Sequence, residues 1–193
     1  MFIKDWKKEI LTIPNLLSFF RLILIPVYMV IYLNATEMRD YITAAVILAV
    51  SCLTDLIDGK IARKFNMIST VGKILDPLAD KATQFTLIIC LSVKYPVLWN
   101  LVILFVVKES FQLIAGLITL RKGRMLTGAL ITGKVCTTIL FVSLIVLILI
   151  PEIGKSVVNV ITIVDAVFML IAFADYIHAY FGHGNQVQDL ENN

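Results

Sequence analysis

The chain has 193 residues, of which 59% are hydrophobic and 16% are charged, and its formal net charge is +3. Soluble globular domains carry about 25% charged residues. This composition, with a mean hydropathy of +0.90, therefore excludes an ordinary soluble domain and predicts an integral membrane protein. The three cysteines lie singly in apolar runs, so we expect small buried side chains. We expect no nucleic-acid partner.

The N-terminal segment, residues 1–12, is charged and amphipathic. We expect a short interfacial helix that lies on the bilayer with Phe2, Ile3 and Trp6 inserted, although a disordered basic tail is an alternative. No small-residue cleavage site follows an apolar core, so we expect no cleavable signal peptide.

Six apolar stretches, each long enough to cross about 30 Å of hydrocarbon, follow this segment. They lie at about residues 15–34, 40–64, 71–93, 96–119, 127–150 and 156–180. The pattern predicts an all-α integral membrane protein with six transmembrane helices in one domain, residues 13–182. The polar residues 183–193 are expected to be a disordered tail.

Lysine and arginine are concentrated in the N-terminal segment and in the loops that follow the second and fourth stretches. The positive-inside rule therefore predicts that both termini are cytoplasmic. The opposite loops contain only Arg39, Lys94 and Lys155 as cations. We expect a protein of a bacterial cell membrane with its functional site at the cytoplasmic face.

Four aspartates interrupt this apolar pattern. Asp55 and Asp58 are three residues apart, and Asp76 and Asp80 are four apart, so each pair shares one face of a helix. Unpaired carboxylates near lipid are unfavourable, and hard divalent cations would compensate them. Sites with two metal ions mostly catalyse phosphoryl chemistry.

Intramembrane carboxylates also mark ion and proton transporters. Such proteins commonly contain internal repeats, whereas the two halves of this chain do not resemble each other. A scaffold that binds a lipid nucleotide without turnover is a third possibility, but it would not need the last aspartate.

Residues 55–80 follow the pattern D-x2-D-G-x2-A-R-x8-G-x3-D-x3-D, which resembles the signature of the CDP-alcohol phosphatidyltransferases without a mismatch. The stretch at 13–26 resembles the first span of that family. LDPLADK at 75–81 and GKVCT at 133–137 are similar to its phosphatidylglycerophosphate synthase and cardiolipin synthase branches. The resemblance covers nearly the whole chain and implies six transmembrane helices and a homodimer.

The resemblance also implies the roles of the site residues. Asp55, Asp58 and Asp76 would bind metal, and Asp80 would bind metal and act as the catalytic base, with two Mg²⁺ or Mn²⁺ ions. The CDP moiety of CDP-diacylglycerol would be bound by residues near the first acidic pair and at the start of the first span, namely Pro14, Asn15, Asp55, Gly59, Ala62, Arg63 and Ser69.

The residue types at two of these positions suit a pyrophosphate. Gly59 permits the close approach of a ligand, and Arg63 offers a fork of donors. Alternatively, Gly59 is a helix-packing glycine and Arg63 an ordinary positive-inside residue. No Ser–His or Cys–His arrangement accompanies the motif, so direct in-line displacement is expected rather than a covalent intermediate.

The sequence contains more cations than binding of the pyrophosphate of CDP-diacylglycerol needs. These additional cations favour an acceptor that carries phosphate. They are Arg21, Lys81, Lys108, Arg121, Arg124 and Lys134, with Lys122 beside them. The acceptor expected first is sn-glycerol 3-phosphate, which gives phosphatidylglycerophosphate and CMP.

Two other acceptors stay open: phosphatidylglycerol, as in cardiolipin synthases, and inositol phosphate. Lys108-Glu109 stands where the phosphatidylglycerophosphate synthases show Arg-Glu, and lysine cannot make the bidentate contact of arginine. This pair could also be a simple ion pair within one helix.

The sixth stretch contains Asp165, Asp175, Tyr176 and His178, which lie outside the motif. Asp165 falls inside the sixth stretch and is expected to hydrogen-bond a neighbouring helix. Asp175 and Tyr176 lie nearer its cytoplasmic end and could close the cavity. His178 is expected to be solvated.

Overall fold

The structure is a computed structural model of the chain. It describes residues 12–64, 72–121, 124–126, 130–150, 152–181 and 187–189. For residues 13, 14, 55–64, 72–74, 124–126 and 187–189 it describes the backbone alone. The expected interfacial helix therefore lies almost wholly outside the described residues.

Six α-helices account for nearly all of the described chain, which confirms the predicted all-helical class. They are α1 (Ile13–Leu33), α2 (Met38–Lys64), α3 (Gly72–Lys94), α4 (Trp99–Arg121), α5 (Ile131–Leu149) and α6 (Lys155–Phe181). A 3-10 turn at Pro96–Leu98 connects α3 to α4.

Four of these helices contain segments long and apolar enough to cross a membrane. They are Asn15–Leu33, Pro96–Arg121, Ile131–Leu149 and Lys155–Phe181, as found within the described residues. Helices α2 and α3 carry the four aspartates, and the side chains of residues 55–64 of α2 lie outside the described part. The protein is membrane-embedded, and within its described residues four helices, not the six predicted, qualify as membrane spans.

The chain divides into two compact units, Met1–Cys90 and Leu91–Asn193. In the first unit α1 packs along α2. Tyr28 and Tyr32 of α1 stack with ring centroids 5.7 Å apart, and Tyr41 of α2 meets Tyr32 edge-on at 5.7 Å. At the start of α2 the Asp40 carboxylate accepts the backbone N–H groups of Thr36 and Glu37, which satisfies donors that a helix N-terminus leaves without a partner.

In the second unit α6 packs against both α4 and α5. Asp165 of α6 is 1% exposed, and its Oδ1 accepts a hydrogen bond of 2.9 Å from Ser143 Oγ of α5. This confirms the prediction that Asp165 bonds a neighbouring helix. Cys90 and Cys136 are buried and Cys52 is half-buried, and none of these three forms a disulfide within the described residues, as expected.

A short antiparallel strand pair differs from the expectation. Strand β1 (Arg124–Leu126) pairs with β2 (Val187–Asp189), with Met125 opposite Gln188. The sequence predicts only helices in the membrane domain and a disordered tail over residues 183–193. Hydropathy could not predict a pairing this short, because it depends on backbone hydrogen bonds between segments distant in sequence.

The beginning of α5 is fastened to the end of α6. Thr132 Oγ1 donates a hydrogen bond of 2.5 Å to Asp175 Oδ2. Next to it, a Cβ atom at Gly133 would lie 2.6 Å from Tyr176 Oη and 3.0 Å from its Cε2. Tyr176 is itself buried, so this approach of the helices depends on the missing side chain at Gly133.

We predict that Gly133→Ala destabilises the protein in spite of the better helix propensity of alanine. The added methyl group overlaps the ring of Tyr176, and overpacking of this kind costs about 1–3 kcal/mol. The measurement is the thermal unfolding midpoint of the detergent-solubilised protein.

The matched control is Gly116→Ala, where the new Cβ would lie 3.4 Å from Tyr180 Oη, an ordinary contact. That variant should unfold at or above the wild-type temperature, since alanine is favoured over glycine in a helix by up to about 1 kcal/mol. Tyr176→Phe should recover part of the loss in the Gly133→Ala background. Equal midpoints for the two alanine variants would show that the contact between Gly133 and Tyr176 is not tight.

Candidate active site

A row of buried polar side chains runs along the first half of α1. Asn15, Ser18 and Arg21 follow one another at intervals of three residues, so they lie on one face of the helix. Each is no more than 2% exposed. Burying polar groups is unfavourable unless they are bonded, and all three have interaction partners.

The central member of this row contacts the second acidic pair. Ser18 Oγ of α1 donates a short hydrogen bond to Asp76 Oδ1 of α3. Ser18 was not among the site residues predicted from the sequence. Its position three residues from both Asn15 and Arg21, in an otherwise apolar helix, was the available signal.

Asp76 and Asp80 lie one turn apart in the first half of α3. The helix continues through Pro77 without interruption, and both carboxylates and Lys81 are half-buried. Ala79 between them is fully buried, which fixes the rotation of the helix. The predicted i,i+4 pair on one continuous helix is thus present.

The first acidic pair belongs to the C-terminal turns of α2. The backbone is helical through Asp55, Asp58, Gly59, Ala62 and Arg63, so the predicted i,i+3 spacing also falls on a helix. Their side chains lie outside the described part, as does that of Pro14 at the first turn of α1. All of Ser69 lies there too.

A metal centre is therefore neither supported nor contradicted by direct contacts. No three histidine, cysteine, aspartate or glutamate side chains form a metal-binding group among the described residues. That set lacks the side chains of Asp55 and Asp58, so the four-aspartate cage stays a prediction.

The six expected acceptor-binding cations are divided between the units. Arg21 and Lys81 belong to the first unit, and Lys108, Arg121, Arg124 and Lys134 belong to the second. Arg121 at the end of α4 and Lys134 in the first turn of α5 are exposed. Arg124 lies in β1, with its side chain outside the described part.

Lys108 differs from the others because it is 2% exposed and its Nζ lies 2.6 Å from Glu109 Oε1. The alternative interpretation of Lys108-Glu109 as an ion pair is confirmed. A buried ammonium needs such a partner.

Asp175 and Tyr176 hold α6 to α5 through Thr132 and Gly133. Whether they also close a cavity over substrate stays a prediction. His178 is exposed, as expected.

Comparison with known proteins connects this arrangement to an enzyme family. The sequence model of the CDP-alcohol phosphatidyltransferases matches residues 11–175. A protein of Aquifex aeolicus named CDP-diacylglycerol–glycerol-3-phosphate 3-phosphatidyltransferase is 34% identical over 177 residues, covering 86% of this chain and 94% of its own length.

Two relatives named as cardiolipin synthases match shorter regions. A cardiolipin synthase (CMP-forming) and mitochondrial hydrolase fusion protein of Schizosaccharomyces pombe is 44% identical over 89 residues, which is 46% of this chain and 14% of that protein. A cardiolipin synthase (CMP-forming) of Streptomyces coelicolor is 40% identical over 75 residues, which is 38% of this chain and 35% of its own.

The family match includes α1, which carries the buried polar row, and α2 and α3, which carry all four aspartates. The Aquifex relative aligns with nearly its full length. The protein therefore belongs to the CDP-alcohol phosphatidyltransferase family and is a membrane-embedded transferase of phospholipid biosynthesis.

Proposed function

We propose that the enzyme transfers the phosphatidyl group of CDP-diacylglycerol to sn-glycerol 3-phosphate, giving phosphatidylglycerophosphate and CMP. The observation that carries this proposal is the near full-length similarity to the Aquifex protein, whose name specifies that acceptor. The contact between Ser18 and Asp76 supports the same site, because it brings the second acidic pair to the buried polar face of α1.

The proposed arrangement has six membrane crossings, cytoplasmic termini and a homodimeric assembly in a bacterial cell membrane. At 1.5 Å per residue, α2 and α3 are about 40 and 35 Å long, which exceeds the hydrocarbon thickness of about 30 Å. Their uncharged stretches, residues 41–54 and 82–93, would lie in lipid. Their charged ends would meet the cytoplasmic headgroups, where a lipid donor and a soluble acceptor can both arrive.

Asp55, Asp58, Asp76 and Asp80 would hold two Mg²⁺ or Mn²⁺ ions. The donor set fits, since paired carboxylates offer the hard oxygen ligands that these cations prefer. The Ser18 hydroxyl gives Asp76 an orienting partner of the kind found around metal ligands. Such ions would neutralise the charge on the pyrophosphate of the donor.

The other proposed contacts position the donor. Arg63 would bind the pyrophosphate oxygens through its planar fork of donors. Gly59 and Ala62, on the same turns of α2, would leave room for the nucleotide. Pro14, Asn15 and Ser69 would complete the CMP-binding region.

The reaction follows from the position of Asp80 one turn after Asp76. The Asp80 carboxylate takes the proton of the acceptor hydroxyl, and the freed oxygen attacks the phosphorus of the phosphatidyl group. A phosphorus–oxygen bond forms to the acceptor as the bond to CMP breaks. Because an alkanol is a poor nucleophile at neutral pH, the base must lie within hydrogen-bond reach of it.

The acceptor phosphate would be bound by the cations that lie outside the donor motif: Arg21, Lys81, Arg121, Arg124 and Lys134. Lys108 contributes less to this set than the sequence suggested, because Glu109 already compensates its charge. The specific observation in favour of phosphatidylglycerol as acceptor is the 44% and 40% identity to the two cardiolipin synthases, over less than half of this chain. Inositol phosphate has no comparable support.

Direct assay of the purified enzyme tests the proposal. With CDP-diacylglycerol and Mg²⁺, addition of glycerol 3-phosphate should release CMP and form phosphatidylglycerophosphate, identified by mass spectrometry of the lipids. EDTA should abolish turnover, and Mg²⁺ or Mn²⁺ should restore it. If the enzyme converts phosphatidylglycerol to cardiolipin and does not use glycerol 3-phosphate, the acceptor is phosphatidylglycerol. Full activity in EDTA would refute the metal site.

We predict that Asp80→Asn nearly abolishes transfer while the protein still folds. An amide cannot take a proton from the acceptor, and loss of a general base costs about 10²–10⁴-fold in kcat. The control is Glu152→Gln, which removes an exposed acid from a loop and should leave kcat unchanged.

The two roles of Asp80 are separated by measuring donor affinity and bound Mn²⁺ in the Asp80→Asn variant. Near-normal values with a collapsed kcat support the base, whereas loss of both would make Asp80 mainly a ligand. Turnover within a few-fold of wild type would refute the mechanism.

Ser18→Ala should weaken the metal site without removing a ligand. Loss of an orienting partner of a metal ligand typically costs about 10–100-fold in affinity or activity. We therefore expect a higher Mg²⁺ concentration for half-maximal turnover and recovery at high Mg²⁺.

The control for Ser18→Ala is Ser92→Ala, which removes an equally buried serine near the other end of α3 and should keep the wild-type Mg²⁺ dependence. If both variants lose activity equally and Mg²⁺ rescues neither, Ser18 acts through stability alone.

A further inference from the structure

A cavity lies within the second unit. It has a volume of about 230 Å³ and is lined by Lys94, Tyr95, Pro96 and Val97 on one side, and by Lys155, Val158 and Asn159 on the other. Since one water occupies about 30 Å³ in the liquid, the cavity has room for a group much larger than a single solvent molecule.

Two lysines from different segments of the chain meet at this cavity. Lys94 is the last residue of α3 and Lys155 is the first residue of α6. The described lining contains no acidic residue. Two ammonium groups that line one cavity create a positive potential that favours an anion between them.

These two lysines are informative because cations are scarce in the segments that the sequence assigns to the non-cytoplasmic side. In the proposed six-span arrangement the connections on that side and the adjoining helix ends contain only Arg39, Lys94 and Lys155 as cations, in keeping with the positive-inside rule. Two of these three line the same cavity.

The rest of the lining suits an anion that is attached to an apolar body. Asn159 lies one turn after Lys155 on the same face of α6 and offers amide donors. Val158 forms a buried floor, and Val97 is half-buried. Trp99 does not line the cavity, but it is exposed nearby in the chain at the start of α4 and is the type of side chain that is enriched at the level of the headgroups.

We propose that the cavity lined by Lys94 and Lys155 binds the phosphodiester of an anionic phospholipid, on the membrane face opposite the catalytic aspartates. Along the axis of α3, Lys94 lies about 27 Å from Asp76 at 1.5 Å per residue, nearly the thickness of the hydrocarbon. The assignment to the opposite face rests on the six-span arrangement of the proposed function, whereas the cavity itself does not.

Free inorganic phosphate offers the same oxyanion chemistry. A lipid is favoured because the cavity joins cations and amide donors to an apolar wall at the end of membrane helices. A hydrated dianion gains nothing from that wall, whereas the glycerol and upper acyl carbons of a lipid would contact it.

Native mass spectrometry of the full chain in detergent tests the site with phosphatidylglycerol as the probe. The double variant Lys94→Gln/Lys155→Gln should bind this lipid about tenfold more weakly, since it loses two charge-assisted contacts. Arg39→Gln, which removes an exposed cation in the first turn of α2 on the same proposed face, should bind like wild type. Phosphatidylcholine, which has no net charge, should bind weakly to all variants.

Three further measurements make the outcome decisive. The double variant Lys94→Arg/Lys155→Arg keeps both charges and should bind phosphatidylglycerol like wild type. If the double glutamine variant does not purify, each single glutamine variant replaces it and should bind this lipid about threefold more weakly. Turnover of CDP-diacylglycerol should be unchanged in all of these variants. Lipid binding therefore tests the proposed lipid site, and turnover with glycerol 3-phosphate separately tests the proposed acceptor.

Two outcomes would overturn the proposal. Unchanged affinity of the glutamine variants for phosphatidylglycerol would show that the lysines do not form a lipid site. Displacement of the lipid by an equal concentration of inorganic phosphate would assign the cavity to a soluble anion instead.

Discussion

A polar or charged side chain within an apolar helical bundle must find a partner, and most of this structure depends on that constraint. The described buried polar groups illustrate it in different ways. Ser18 donates to Asp76, and Ser143 donates to Asp165. Lys108 pairs with its own neighbour Glu109. In lipid, water is not available to replace these partners, so the two hydrogen bonds between helices limit how those helices can rotate.

The constraint also bears on the position of the four aspartates. Four carboxylates spread through the bilayer would each need separate compensation, whereas four near the ends of α2 and α3 would share headgroup water and, in the proposed metal site, divalent cations. The remaining helix surface can then be apolar. Its exposed side chains include Ile23, Ile103, Leu113 and Ile163. On a soluble protein such faces would cause association, but in a membrane they are the surface that lipid solvates.

Sequence reasoning could predict the helices, because a stretch of about 20 apolar residues is the length that a membrane-spanning helix needs. It could also predict that Asp165 has a partner on another helix, since an isolated acid in lipid is costly. It could not identify Ser143 or Ser18 as donors, because contacts between helices depend on rotation and depth rather than on spacing within one helix. The pairing of β1 with β2 was equally inaccessible, since three residues produce no periodic signal.

The pairing of Lys108 with Glu109 bears on how an acceptor is recognised. An arginine at this position could hold its glutamate and still direct further donors towards a phosphate, because its guanidinium has five N–H groups in a planar fork. A lysine ammonium is a compact point charge, and here Glu109 already compensates it at 2.6 Å. Recognition of a phosphorylated acceptor would therefore depend more on exposed cations such as Arg121 and Lys134 than on the buried lysine of α4.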